Sequence, residues 1–179
     1  MIRCLVGLIG ALLVGVSAAK AIAYAQSIPF IGVHHGEGHI LAAQLEYPDI
    51  GYPYLALLVS GGHTALYLVK GLGNYRMLGQ TRDDAAGEAF DKGANLLNIG
   101  YPGGVAIDRL AKDGDAKGTR FPKAIVKGGP LAFSFSGLKT SILYFLRDRL
   151  KEDPEFMEKN RNDICASVQS TIVDILMQK

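Results

Sequence analysis

The stretch of sequence that decides the fold covers residues 55–69. It reads Leu55-Ala56-Leu57-Leu58-Val59-Ser60-Gly61-Gly62-His63-Thr64-Ala65-Leu66-Tyr67-Leu68-Val69. Two apolar runs of strand length flank a turn with two adjacent glycines, a pattern typical of a β-hairpin. The sequence therefore predicts two antiparallel strands joined by a short turn at residues 60–63.

The same glycine turn has a second interpretation. Glycine lets a ligand approach the backbone closely, and successive backbone N–H groups in a turn can bind an anion. Ser60 adds a hydroxyl at the start of the turn. The residues alone leave both interpretations open, a plain hairpin connection and a phosphate cradle.

Three of the four histidines lie upstream in one cluster, His34-His35-Gly36-Glu37-Gly38-His39. His35 and His39 are four residues apart, so on a helix their rings lie on one face, one turn apart. Two imidazoles placed in this way can reach one metal ion. Residues 40–46 favour helix, and Gly36 and Gly38 place the helix start inside the cluster.

Metal binding is one of two interpretations of this pair, and the other is a pair of hydrogen-bonded or exposed histidines. The zinc-protease signature requires glutamate directly after its first histidine. His34 is followed by His35, and His35 by Gly36, so that signature is absent. A metal site built on His35 and His39 needs a further ligand from elsewhere.

The composition is that of a globular protein. The chain has 179 residues, of which 49% are hydrophobic and 20% charged, and its formal net charge is +2. These values exclude a disordered chain, and they neither demand nor exclude nucleic acid as a partner. Cys4 and Cys165 lie far apart and match no disulfide or metal framework, which favours a reducing cytosol.

The N-terminus has two interpretations. Arg3 precedes an apolar run that ends in Ser17-Ala18-Ala19, as in a secretory signal peptide. The run is too short and too rich in glycine for a membrane span. The alternative is a buried helix over residues 5–26, in which small residues allow close packing.

The residue pattern of the remaining chain predicts further strands and helices. Strands are expected at residues 30–33, 75–81 and 133–136, and helices at 83–97, 105–112, 141–150 and 164–177. Acidic residues at the start of the first of these helices complement its macrodipole. Residues 113–129 are polar and contain glycine, which predicts a surface loop.

Five segments, in one order along the chain, carry a resemblance to a known family. They are His34-His35-Gly36-Glu37-Gly38-His39, Leu58-Val59-Ser60-Gly61-Gly62-His63-Thr64, Asp83-Asp84-Ala85-Ala86-Gly87-Glu88-Ala89-Phe90-Asp91-Lys92, Tyr101-Pro102-Gly103-Gly104 and Phe133-Ser134-Phe135-Ser136-Gly137-Leu138-Lys139-Thr140. Together they resemble the tRNA N6-adenosine threonylcarbamoyltransferase family, formerly called O-sialoglycoprotein endopeptidase or glycoprotease. The resemblance covers nearly the whole chain, including residues 7–26 as a helix, and so disfavours the signal peptide.

The resemblance implies a fold and an activity. The fold is α/β, the two-lobed actin/hexokinase/Hsp70-like (ASKHA) fold, with residues 1–179 as the central part of one family domain. The activity is acyl transfer. A threonylcarbamoyl group moves from threonylcarbamoyl-adenylate to N6 of the adenosine 3′ of the anticodon, in tRNAs that read codons beginning with A.

The resemblance also implies site residues. Leu58-Val59-Ser60-Gly61-Gly62 matches the loop that binds the adenylate, and Asp91, Gly104 and Asp108 match further substrate contacts. His35 and His39 match the metal-binding histidines. The implied cofactor is one divalent metal ion, usually iron, and zinc also suits these ligand types. No catalytic residue is assigned.

The partners implied are tRNA, threonylcarbamoyl-adenylate and the other subunits of the threonylcarbamoylation complex, in the cytoplasm and without a membrane. The chain departs from the family in length, since the N-terminal strands and a C-terminal portion have no counterpart here. That C-terminal portion carries a nucleotide-binding asparagine and an aspartate that is the third metal ligand. Apolar surfaces that these parts would cover are expected to be exposed.

The shortened chain leaves an alternative function open, a catalytically inactive fragment that acts as a binding or scaffold module. A metalloprotease is disfavoured, because the chain has neither a nucleophile–base pair nor a metal-protease signature.

Overall fold

The computed structural model describes residues 9–123, 126 and 129–179, with no side-chain detail for residues 9–12. The chain divides into two compact units, Met1–Ala42 and Ala43–Lys179. Helix α2 runs across the division. Arg3 and the start of the apolar run, on which both interpretations of the N-terminus partly rest, lie outside the described residues.

The first unit contains helix α1, Ile9–Ala25, and the first part of helix α2, His35–Glu46. Helix α1 confirms the predicted N-terminal helix over the residues that are described. The predicted burial is wrong, because most of its described side chains are exposed, among them Leu13 at 63% and Tyr24 at 89%. Helix α2 begins inside the histidine cluster, as predicted. None of the described helices is both long and apolar enough to cross a membrane.

The strand predicted at residues 30–33 is wrong. This segment has no regular structure, and the side chains of Phe30 and Ile31 are 47% and 81% exposed. A strand needs a neighbour to pair its backbone groups, and no described strand pairs with this segment. The apolar composition of residues 30–33 therefore does not by itself indicate a strand.

The second unit contains a three-stranded antiparallel sheet in the order β1-β2-β3. Its strands are β1, Tyr54–Val59, β2, Thr64–Gly71, and β3, Asn74–Gln80. The register pairs Leu57 with Leu66 and Val59 with Thr64, so β1 and β2 form the predicted hairpin. Register shifts between Leu66 and Tyr67 and between Val69 and Gly71 mark irregularities in the pairing of β2 with β3.

Five helices follow the sheet within the described residues. They are α3, Ala86–Leu96, α4, Gly103–Ala111, α5, Ser136–Glu152, α6, Phe156–Lys159, and α7, Arg161–Met177. Four of them were predicted with different ends, and the short α6 was not predicted. The described part of residues 113–129 is turns and irregular backbone, as expected for a surface loop.

The strand predicted at residues 133–136 is also wrong, because helix α5 begins at Ser136. Only an isolated parallel bridge forms there, between Phe133 and Thr81. The carboxylate of Asp83 accepts the N–H of Phe135 at 2.7 Å and the N–H of Ser136 at 3.2 Å. These are donors that a helix start leaves without an internal partner, so Asp83 caps α5 from a distant position in sequence.

The main core lies where helices α3, α4, α5 and α7 pack together. Its largest fully buried side chains include Phe133, Phe135, Leu97, Ile107, Ile142, Ile164 and Ile172. The two phenylalanines of the misassigned strand are thus core residues, which explains why their apolar positions alternate with serine. The second unit is mixed α/β, in agreement with the predicted fold class.

Candidate substrate and metal sites

His35 and His39 lie on the first turns of α2, both exposed to solvent. Their Nε2 atoms are 2.8 Å apart, and their rings meet edge to face with centroids 4.3 Å apart. The helix brings the two ring nitrogens to one point, because residues four apart lie one turn apart on the same face. The spacing predicted this juxtaposition correctly.

The donor pair fits part of a metal site. Imidazole nitrogens bind zinc at about 2.0–2.1 Å, and two nitrogens this close can share one ion. The same separation also fits a hydrogen bond between a donor and an acceptor ring nitrogen. Within the described residues, no group of three or more histidine, cysteine, aspartate or glutamate side chains is placed to hold a metal ion. The metal role of His35 and His39 therefore stays a prediction.

The glycine turn is closed by three hydrogen bonds between its ends, the longest from Ser60 Oγ to the carbonyl of His63 at 3.4 Å. The N–H of Ser60 donates to the carbonyl of His63 at 2.8 Å, and the N–H of His63 donates to Ser60 Oγ at 3.0 Å. Ser60 and His63 thus hold the turn in one shape. The two central residues, Gly61 and Gly62, take no part in this closure.

Gly61 and Gly62 face open space. A Cβ atom built on either of them has no atom within 4 Å. Neither backbone N–H donates to another group among the described residues. Two adjacent amide donors without a protein acceptor are available to a bound anion. The hairpin interpretation and the cradle interpretation are thus compatible in one structure.

The turn lies against the N-terminus of α3. The N–H of Ala86 donates to Thr64 Oγ1 at 2.8 Å, and the N–H of Gly87 donates to the Ser60 carbonyl at 3.2 Å. Helix N-termini carry a partial positive charge, so this placement favours a bound anion.

Acidic side chains also surround the start of α3, but a lysine pairs with them. Lys92 Nζ lies 2.6 Å from Asp84 Oδ1 and 2.8 Å from Glu88 Oε1. The hydrogen bond from Lys92 lowers the pKa of Glu88, and the bonds to Asp84 and Glu88 raise the pKa of Lys92. Glu88 and Lys92 therefore stay charged near neutral pH.

Asp91 lies further along α3 and contacts the start of α4. Its Oδ1 accepts the N–H of Gly103 at 2.8 Å. Gly104 is the next residue of α4, and it is half-buried. Asp91 therefore caps α4, while its predicted contact with substrate stays a prediction.

Asp108 lies on the exposed side of α4. Gln169 Nε2 donates to its Oδ1 at 3.3 Å, and Lys112 Nζ lies 3.6 Å from its Oδ2. The same helix thus carries both Gly104 and Asp108, about one turn apart.

A chain of direct contacts links most of the predicted substrate residues within the second unit. The glycine turn touches Gly87 on α3, and α3 presents Asp91 to α4. Leu58 and Val59 are the last residues of β1 and lead into the turn. His35 and His39 lie in the first unit.

Three residues at this site were not predicted, Thr64, Gly87 and Gly103. Thr64 ends the glycine segment, and the sequence pattern assigns no role to its hydroxyl. Gly87 and Gly103 are glycines at helix starts, and their roles depend on close approach to another element. A Cβ on Gly87 would lie 2.7 Å from Gly61 Cα, and one on Gly103 would lie 2.5 Å from Asp91 Cα.

An open groove lies elsewhere in the described part of the chain. It has a volume of about 700 Å³ and is lined by residues 78–82 and 129–132. None of these lining residues belongs to the predicted sites. The candidate site is thus an exposed turn and two helix starts rather than this groove.

Comparison with known proteins identifies the family of this chain. The model of the family described as tRNA N6-adenosine threonylcarbamoyltransferase matches residues 7–179. A protein of that name from Anaeromyxobacter sp. (strain Fw109-5) is 60% identical over 174 residues, which are 97% of this chain and 51% of the relative. Proteins of the same name from Trichlorobacter lovleyi and Bordetella pertussis are 53% and 51% identical, again over 97% of this chain, and 49% and 50% of their own lengths are covered.

The match to this family, with which the mixed α/β architecture agrees, places the chain in the ASKHA-like class of folds, of which it is a partial representative. Within that class, the chain belongs to the tRNA N6-adenosine threonylcarbamoyltransferase family. It spans about half the length of the curated relatives that it matches.

Proposed function

We propose that this chain contributes to the transfer of a threonylcarbamoyl group from threonylcarbamoyl-adenylate to tRNA. The acceptor is N6 of the adenosine 3′ of the anticodon, in tRNAs that read codons beginning with A. The relatives carry the name of a tRNA N6-adenosine transferase, and this supports the general reaction. The donor and the choice of tRNA are parts of the proposal.

One observation carries the proposal. Gly61 and Gly62 present two N–H groups and an open surface, while their turn is fixed on the N-terminus of α3. Preorganised donors of this kind stabilise negative charge without having to reorganise. The adenylate phosphate is the negatively charged group of the proposed donor, and the turn is the place in this unit that suits it.

The reaction requires the protein to bind and orient the donor more than to activate it. The donor is a mixed anhydride of a carbamate and a phosphate, so its carbonyl carbon is already electrophilic. The N6 amine attacks that carbon, the bond from the carbon to the phosphate oxygen breaks, AMP leaves, and N6 loses a proton. Donors at the glycine turn hold the phosphate, both before the bond breaks and as it gains charge.

Asp91, Gly104 and Asp108 suit the remainder of the nucleotide. A carboxylate has two oxygens, and Asp91 uses Oδ1 for the Gly103 N–H, so a ribose hydroxyl is a fitting donor for the other. Gly104 leaves the backbone of α4 accessible, since a Cβ on it would come no closer than 3.9 Å to Phe90. Asp108 offers a second carboxylate, which is exposed on α4.

We also propose one divalent metal ion at His35 and His39, iron, with zinc as the alternative. Such an ion supplies Lewis-acid polarisation of a bound oxygen. The contribution of this chain is to hold two imidazoles at one point on α2. Other subunits of a threonylcarbamoylation complex and a cytoplasmic location belong to the same proposal.

The test compares two valine substitutions at glycines with equal space around them. Neither Gly62 nor Gly71 has an atom within 4 Å of a built Cβ, and only Gly62 lies in the glycine turn. Purified chain, threonylcarbamoyl-adenylate and unmodified tRNA are combined, and modified nucleoside is measured by mass spectrometry after digestion. We expect product with wild type and Gly71→Val, and at least a tenfold loss with Gly62→Val. Equal product from both variants would contradict the role of the turn.

A second candidate function is a non-catalytic binding or scaffold module, and one observation favours it. Leu55, Leu57 and Val59 are 63%, 40% and 43% exposed on one face of β1. This confirms the expectation of exposed apolar surface, and such surfaces mark association sites. If the wild-type chain gives no product but light scattering shows it as a stable complex with a protein partner, the module replaces the enzyme as the function of this chain.

A further inference from the structure

Gly87 is the closest point between helix α3 and the glycine turn. A Cβ atom on Gly87 would lie 2.7 Å from Gly61 Cα, 2.8 Å from the Ser60 carbonyl oxygen and 2.9 Å from Gly61 N. All three atoms are backbone atoms, so no side chain can rotate away to make room. Only glycine at this position permits the observed approach.

Thr64 fixes the other side of the same contact. Its side chain is buried at 2% exposure, and its Oγ1 accepts the N–H of Ala86 at 2.8 Å. Its carbonyl accepts the N–H of Thr81 at 2.8 Å, just beyond the end of β3. One residue therefore connects the end of the hairpin, the end of the sheet and the first N–H of α3.

The remaining bond joins the turn itself to the helix. The Ser60 carbonyl accepts the N–H of Gly87 at 3.2 Å, and this bond orients the peptide unit between Ser60 and Gly61. The peptide that carries the Gly61 N–H is thus held by α3 and not only by the hairpin. A shift of α3 would rotate this N–H.

We propose that Gly87 and Thr64 are positioning residues for the glycine turn, and that they set the direction of its N–H groups. This inference rests on the proposed function of the turn as the site for the phosphate of an adenylate. Gly87 acts by the absence of a side chain, and Thr64 acts by its buried hydroxyl. Neither residue contacts the ligand in this proposal.

The experiment uses the full 179-residue chain labelled with nitrogen-15. Gly87→Ala is compared with Gly93→Ala, a glycine on the same helix where a Cβ would meet only side-chain atoms, the nearest at 3.5 Å. Thr64→Val removes the hydroxyl and keeps the shape, and Thr64→Ser restores the hydroxyl. Amide chemical shifts, hydrogen exchange and the affinity for AMP, the probe, are measured for each variant.

We expect Gly87→Ala to move the amide resonances of residues 60–63 and to weaken AMP binding by about tenfold or more. Thr64→Val is expected to speed hydrogen exchange at Ala86 by roughly fivefold to tenfold, since one hydrogen bond is lost. Gly93→Ala and Thr64→Ser are expected to behave as wild type in both measurements.

Unmoved resonances at residues 60–63 in Gly87→Ala would overturn the positioning role. Moved resonances with unchanged AMP affinity would overturn it as well, because the turn would then bind without being positioned. A wild-type chain that does not bind AMP would count against the proposed function, while the amide shifts and exchange rates would still decide whether Gly87 and Thr64 position the turn.

Discussion

Gly103 lies so close to Asp91 that a Cβ on Gly103 would be 2.5 Å from Asp91 Cα, while its N–H donates to Asp91 Oδ1 at 2.8 Å. The hydrogen bond and the close approach depend on each other, because the carboxylate reaches the N–H only when α3 and α4 touch. Asp91 and Gly104 are both expected to contact substrate. The contact that Gly103 makes with Asp91 therefore holds these two residues in place.

Alanine at Gly103 is expected to destabilise the chain, because its Cβ would overlap backbone atoms of α3. Overpacking of this kind costs about 1–3 kcal/mol. Gly104→Ala is the matched control, since its Cβ would lie at an ordinary 3.9 Å from Phe90. Urea unfolding followed by circular dichroism measures both free energies. A Gly103→Ala variant as stable as Gly104→Ala would contradict the close contact.

Asp83 is expected to make stability depend on pH. Its burial raises its pKa, but hydrogen bonds from Ser134, Phe135 and Ser136 outweigh this, so its pKa lies below the ordinary value of 3.8. The charged form therefore stabilises the fold above that value, and this stabilisation is lost as the pH falls through the lowered pKa.

The measurement is urea unfolding of wild type and Asp83→Asn between pH 3 and pH 7. We expect wild type to be more stable by about 1 kcal/mol near neutral pH, as for other helix caps, with the difference shrinking below pH 4. Asp49→Asn, at an exposed aspartate before β1, is the control. A difference that does not change with pH would contradict the role of the Asp83 charge.

Metal binding is expected to require both His35 and His39. Purified chain is stripped with a chelator, then loaded anaerobically with ferrous iron or with zinc, and bound metal is counted by mass spectrometry. Each alanine variant should lose metal by about tenfold or more, since the remaining imidazole binds alone. His34→Ala, at the neighbouring histidine, should keep it. Equal metal content in all variants would show that the 2.8 Å pair is a hydrogen-bonded pair instead.

Cys165 is expected to resist alkylation in the folded chain. It is fully buried, and burial raises the pKa of its thiol to about 11. The thiolate is the reactive form, so iodoacetamide at pH 8 should modify Cys165 about 100-fold more slowly in folded than in urea-unfolded protein. Peptide mass mapping separates Cys165 from Cys4. Equal rates in both states would contradict the burial of this residue.

The local pattern of apolar and polar residues predicted the hairpin and the helices where that pattern is regular. Alternating and continuous apolar residues around Gly61-Gly62 predicted β1 and β2, and the pair at His35 and His39 predicted a shared helix face. The family resemblance, which family comparison confirms, came from five ordered segments rather than from any single one.

Local pattern failed where a distant group decides the structure. The segment at residues 133–136 alternates like a strand, but Asp83 caps its backbone and starts α5 there. The apolar residues at 30–33 read as a strand, but no described strand pairs with them.

The amino-acid sequence by itself determined the family, through five ordered segments spread from His34 to Thr140. It also determined the hairpin with its glycine turn and the helical pairing of His35 and His39, because these two features depend on residues close together along the chain. Only the tertiary structure decided that Gly87 and Gly103 must be glycine and that Asp83 caps α5. Those roles arise where backbone from distant segments comes within about 3 Å, and hard-core repulsion and hydrogen bonding at such distances leave no periodic trace in the sequence.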